Sequence, residues 1–170
     1  MTVKTSTVQD RRQLRFDSFE EIRGDVNSLV SMKVRTLGNW TLPQILEHLA
    51  RSMDMAIDGA DFKSGWAIRQ LGKLMKKRVL KNPMSAGFKL PKHAASLVPD
   101  ELPLDKALTH FRTALKRLEA ETARSPHPVF GEMTLEESNL LQLRHAELHL
   151  SFVAPEEESG REAGGEQAQN

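Results

Sequence analysis

The stretch LRHAELHLSF, residues 143–152, sets His145 and His149 four apart on a stripe shared with Leu141, Leu148 and Phe152. Residues at that spacing on a helix are neighbours, with Cβ atoms about 5–6 Å apart. Two imidazoles so placed can converge on one ion at a Zn–N distance of about 2.0–2.1 Å. They can equally be two core histidines, each with its own polar partner. A third ring is wanted from elsewhere, and His48, in QILEHLA, is the best placed. It lies mid-helix beside Ile45, Leu49 and Ser52, and it can face the pair if its helix neighbours the last one. Its plainer reading is a core histidine hydrogen-bonded to a carbonyl or to Ser52.

Two further residues could support such a site from behind. Ser52 follows His48 by one turn, with a helix-surface role equally open. His127 lies near the start of the last helix and can approach the pocket, although it sits between prolines in loop sequence. His93 and His110 are expected at the surface, the second on the polar side of the helix that carries Phe111. A hydrolytic site also needs a general base. Glu47 and Glu147 each adjoin a ligand candidate, but an adjacent residue points about 100° away on a helix. Both are expected to face solvent, and the catalytic residues stay unknown.

What must position these side chains is helical. Ser18 with Glu21, Thr41 with Gln44 and Thr134 with Glu137 have the spacing of a capping box, in which cap and N3 side chains satisfy each other's amides. Trp40 and Ile45 flank the second start as a candidate hydrophobic staple, and Pro43 lies in the first turn, where a missing N–H does little harm. Helices are expected at about 18–33, 41–58, 103–124 and 134–153, with a further one near 64–80 inside the irregular connection 59–102. Strand patterning is weak. The expected fold is all-α, a four-helix bundle over residues 16–153 with a long crossover between helices two and three. A flexible arm, 1–15, precedes it, and a disordered acidic tail, 154–170, without a large apolar residue, follows it.

Composition removes several classes of function. With no cysteine, disulfides, thiolate metal sites and cysteine nucleophiles are excluded, and any transition metal must rely on histidine and carboxylate. A net charge of +1 gives no general case for nucleic acid, and with aromatics at 5% base stacking has little support. No apolar run approaches the roughly 20 residues of a membrane span, and the first residues lack a secretory apolar core. A cytoplasmic protein with neither a membrane nor a nucleic-acid partner is expected. The basic stretch KLMKKRVLK, residues 73–81, could bind an anionic substrate, a membrane surface or nucleic acid, and is expected instead to be a solvated helix face.

Three segments together, LGNWTLPQILEHLA, HPVFGEMTLEE and RHAELHLSF, resemble the DinB-like superfamily. The likeness is to its branch of uncharacterised bacterial domains with a G-x-W-[ST]-x-x-Q-x-x-x-H-L segment, an H-P-x-F-G turn and a C-terminal H-x-x-x-H helix. It covers about residues 12–153. The resemblance implies a four-helix bundle holding one divalent ion, zinc or nickel, on His48, His145 and His149. It also implies a site able to activate a small thiol, since characterised relatives include metal-dependent thiol transferases and a thiol-dependent isomerase. Members of the branch often carry a second histidine beside the last ligand and a Gln-Phe ending. Here Leu148 and Ser151-Phe152 stand there, so the roles of those neighbours do not carry over.

Two functions follow as expectations. One is a metal-dependent enzyme of the thiol-transferase or hydrolase type, acting on a small thiol or another small molecule. The other is a non-catalytic metal-dependent scaffold or binding module, a homodimer through one helix face.

Overall fold

The computed structural model describes residues 2–87 and 92–156. Among these, the protein is mostly helical: α1 (Phe19–Val30), α2 (Leu42–Asp58), α3 (Trp66–Lys81), α4 (Leu104–Ala120) and α5 (Leu135–Leu150). A 3-10 turn, Lys92–Leu97, lies between α3 and α4. No helix among the described residues is long and apolar enough to cross a membrane.

The helices begin where the hydroxyls stand. Thr41 and Thr134 each accept from the amide three residues on, and the Gln44 and Glu137 side chains answer the cap amides, closing both boxes. At α1 the exchange is displaced: Ser18 accepts from the Glu21 amide, but the Glu21 carboxylate takes the amide of Asp17. Helix ends are equally local. Gly59, at φ 97°, stops α2 in a conformation that a Cβ would strain. Arg124 folds its guanidinium back onto the carbonyls of Leu118, Glu121 and Ala123, so α4 ends before the expected limit.

α2 is the central element, packed against α4 and α5. Its Leu46, Leu49 and Met53 meet Ile22, Val26 and Leu29 of α1, Phe111, Leu115 and Leu118 of α4, and Leu150 of α5 in one core. Burying a side chain of that size contributes about 1.5–3 kcal/mol. α3 packs on α5, where Lys76 reaches the Glu137 carboxylate at 2.7 Å.

The ends of the chain depart from expectation. Residues 2–15 are tied down rather than loose. The Arg12 guanidinium pairs with Asp25 at 2.6 and 2.8 Å, its amide donates to the Ser151 carbonyl, and Arg11 lies 4.7 Å over the Phe152 ring. Val3, Arg11 and Arg12 find hydrogen-bond partners far along the chain. α5 also stops short of residue 153, because the chain turns at Ser151 and enters a strand. β1 (Val34–Thr36) pairs antiparallel with β2 (Val153–Pro155), and the Glu156 amide donates to Lys33. Strands of three residues are too short to show an alternating pattern, so neither the ladder nor the order of Ala154 was foreseen. Of the expected tail, residues 157–170 lie outside the described residues.

Candidate metal centre

The packing of α2 against α5 brings His48 to His145 and His149. One ring nitrogen from each lies within 4.8 Å of the others, close enough for all three to bind one metal ion. The Nε2 atoms of His48 and His145 are 3.1 Å apart. A tetrahedral ion at the usual Zn–N length needs about 3.3–3.4 Å between nitrogens. Only a small outward shift of the rings separates the two values.

The proton of His48 can be placed by elimination. Its Nδ1 lies 2.7 Å from the Leu97 carbonyl, which can only accept, so Nδ1 carries the hydrogen and Nε2 keeps its lone pair. A ring anchored through one nitrogen and coordinating through the other is the usual arrangement behind a metal ligand. His48 is 3% exposed, while His145 and His149 each keep part of their surface open. Burial holds His48 below the ordinary histidine value, opposed by the Leu97 bond and helped by the nearby Arg51 charge. Burial pushes His145 and His149 well below it, and the facing imidazoles add to the effect. All three rings are therefore neutral near pH 7 and offer lone pairs. This donor set fits a divalent transition metal.

Trp40 forms a wall of the site. Its ring centroid lies 4.8 Å from that of His48 and is stacked at 5.5 Å on that of His149. Trp40 packs against the core that contains Ile45, as a staple would, but its contact with two ligand rings was missed. A hint was available: Trp40 precedes His48 by eight residues, about two helical turns if the helical path is extended back through the cap.

A family model described as "Protein of unknown function (DUF1569)" matches residues 8–156, from the docked N-terminal segment to the end of β2. The chain belongs to that family. No curated protein and no solved structure matches it.

The remaining site candidates of this DUF1569 protein divide. Ser52 does not bond a ligand ring: its hydroxyl donates to Gln142 Oε1 at 3.3 Å, and the Gln142 amide donates to the Ser52 carbonyl at 3.4 Å. That pair ties α2 to α5 beside the histidines, and of the two partners expected for a core His48, a carbonyl or Ser52, the structure shows the carbonyl, that of Leu97. His127 stands close enough to His145 for its charge to depress that ring. Its Nδ1 accepts from the amides of Val129 and Phe130, both at 3.1 Å, inside a turn closed by two bonds between His127 and Gly131. Burial pushes His127 down to about 4. His93 falls in the 3-10 turn.

Three expectations about the polar residues need correction. Glu47 and Glu147 are not solvent-facing but buried, at 4% exposure each. Glu47 accepts from Arg51 and binds His110, which also reaches Asp54 at 2.9 Å. His110 is thus a half-exposed bridge between two carboxylates rather than a free surface group. Glu147 accepts from the Phe16 amide and pairs with Arg144. The helical-wheel argument does turn both glutamates away from the histidines, but in this fold those directions meet other protein segments.

Proposed function

We propose that this protein binds one divalent ion, zinc or nickel, through His48, His145 and His149, and that the centre activates a small thiol in the cytoplasm. The scaffold in this reading is a DinB-like four-helix bundle of α1, α2, α4 and α5, with α3 in the crossover. The observation that carries the reading is the Leu97 bond to His48 Nδ1, which leaves the Nε2 lone pair turned toward the other two rings. Imidazole suits zinc, nickel, copper and iron alike, so the preference for zinc or nickel rests on the family resemblance.

A bound ion of this kind lowers the pKa of a coordinated thiol or water and stabilises the anion. The chain's own residues supply the setting. The three neutral rings donate lone pairs, the Trp40 ring shields the side formed by His48 and His149, and a small molecule would reach the centre past His145 and His149, which are less buried than His48. Thiol activation is favoured over hydrolysis because the two carboxylates next to the ligands are engaged, Glu47 with Arg51 and His110, Glu147 with Arg144 and Phe16. The same lack of a free base suits the second reading, a non-catalytic metal-dependent binding module.

Untagged protein incubated with excess zinc or nickel and then desalted should retain one equivalent, and the triple alanine variant none. Equal retention by the two proteins would remove the site. Cobalt-loaded protein then separates the two readings. A thiolate-to-metal absorption band on adding a small thiol supports activation, and an unchanged spectrum supports the binding module.

A further inference from the structure

α3 turns one side to the body of the protein and a different kind of surface outward. On the inner side, Gly72 lies so close to the His127–Gly131 turn that a Cβ would meet the Val129 carbonyl oxygen at 2.5 Å; Leu80 is buried, and Lys76 pairs with Glu137. On the outer side, Leu74 is 82% exposed, Trp66 77%, Leu71 61% and Ile68 49%. At about 100° per residue, Ile68, Leu71, Leu74 and Met75 share one arc of the helix. Arg78 falls inside that arc, and Lys77 and Lys81 follow its edge next to Leu74, which makes a short cationic row toward the C-terminal end of the helix. Arg69 and Lys73 turn toward the inner side, Lys73 close to Gly131. Single exposed leucines are ordinary, but a grouped apolar arc marks an interaction surface.

Charge says what kind of partner that surface fits. α3 contains no acidic residue, and among the described residues only its Lys76 closes an ion pair. Elsewhere Arg12, Arg23, Arg51 and Arg117 are each matched by a carboxylate. A second copy docked isologously through this face would bring the same cationic row against itself. The chain's own acidic segment, residues 157–170, has no large apolar side chain with which to cover Leu71 and Leu74. The partner must be both anionic and apolar.

We infer that α3 is a docking helix for an anionic lipid surface. It lies in the headgroup region with Ile68, Leu71 and Leu74 toward the acyl chains and Lys77, Arg78 and Lys81 on the lipid anions. Trp66, at the helix start, sits at the interface, where an indole is at home. The basic stretch expected to be merely solvated is thus the charged half of a membrane-surface helix.

The test is flotation of the full chain with phosphatidylcholine vesicles, with and without phosphatidylserine. Binding should require phosphatidylserine, fall as salt is raised, and shift tryptophan emission to the blue. That shift should vanish in Trp66→Phe, which retains Trp40. Two double variants on exposed positions, Leu71→Ser with Leu74→Ser and Lys77→Glu with Lys81→Glu, should each weaken binding by roughly tenfold or more while leaving circular dichroism unchanged. Absence of binding to phosphatidylserine vesicles overturns the inference. So does binding that the leucine variant leaves intact, which would reduce the contact to charge alone. A lipid-free dimer that the leucine variant converts to monomer, without vesicle binding, would assign the face to self-association instead.

Discussion

Arg144 and Glu147, three apart on α5, hold both polar backbone atoms of Phe16 between them. The Arg144 guanidinium donates to the Phe16 carbonyl at 2.5 Å, the Phe16 amide donates to Glu147 at 2.6 Å, and the two side chains pair at 2.7 Å. This buried clamp fixes the segment entering α1 against the helix that carries His145 and His149.

Removing one member of the clamp should cost more than removing both. Glu147→Leu leaves a buried guanidinium uncompensated and is expected to lower stability by about 3–5 kcal/mol, whereas Arg144→Met with Glu147→Leu should recover a large part of that loss. Urea unfolding of the two variants measures the difference. A double variant that is less stable than the single would show that the pair contributes more than it costs to bury.

His145→Ala breaks the chelate on α5 and should reduce metal affinity by more than the roughly 10–100-fold typical of losing a supporting group. Protons compete with the ion for each ring. Because burial holds these histidines below 6.5, retention of the ion should persist to lower pH than an exposed imidazole site would allow. Chelator competition at a series of pH values checks this, and affinity already half lost at pH 6.5 would contradict it.

Two other histidines should pull stability in opposite directions with pH. His127 falls from 6.5 to about 4 on folding, through burial. The unfolded chain therefore takes up its proton first, and stability contributed by the neutral ring is lost as pH drops from 6.5 toward about 4, by on the order of 3 kcal/mol. For His110, burial opposes the charge, but hydrogen bonds to Glu47 and Asp54 outweigh it and raise the ring above 6.5. Its contribution is full below that value and is lost as pH rises through the folded-state value. Denaturation curves should show His127→Asn flattening the acid limb and His110→Gln most damaging at mildly acid pH. A pH-independent difference from wild type in either variant would contradict its assignment.

At Gly72 two effects compete. Alanine favours the helix by about 1 kcal/mol relative to glycine. Its Cβ, however, would meet Val129 at 2.5 Å from the carbonyl oxygen and 2.6 Å from Cγ1, and overpacking of this sort costs about 1–3 kcal/mol. The carbonyl belongs to backbone and cannot swing aside, so Gly72→Ala should lower the melting temperature. A rise would mean that α3 shifts freely on the body.

The features that could be read in the sequence were those closed within a few residues. The boxes at Thr41 and Thr134 span three residues, and the histidine pair on α5 spans four, so both were visible as spacing. His48 was a candidate by its place on an apolar helix, with the family likeness in support. The partners that give these residues their setting lie far away. Leu97 is 49 residues from His48, His110 is 63 from Glu47, and Phe16 is 131 from Glu147. Leu97 moreover acts through a backbone carbonyl, which leaves no trace in residue type. Glu47 shows why the wheel argument stopped short: on a helix surrounded by others, pointing away from one neighbour means pointing at the next.

The ladder of β1 and β2 stitches the chain just outside the two segments that supply the histidines. Closing a loop costs entropy that grows only with the logarithm of its length, about 0.6 kcal/mol for each doubling. Extra residues between α3 and the 3-10 turn would therefore disturb the three histidines very little, because the stitch and the helices keep the rings in register. Within the short span from Thr36 to Trp40 the tolerance disappears, since one added residue would move the indole relative to both. A reporter or second domain spliced into this protein belongs at the first place and never at the second.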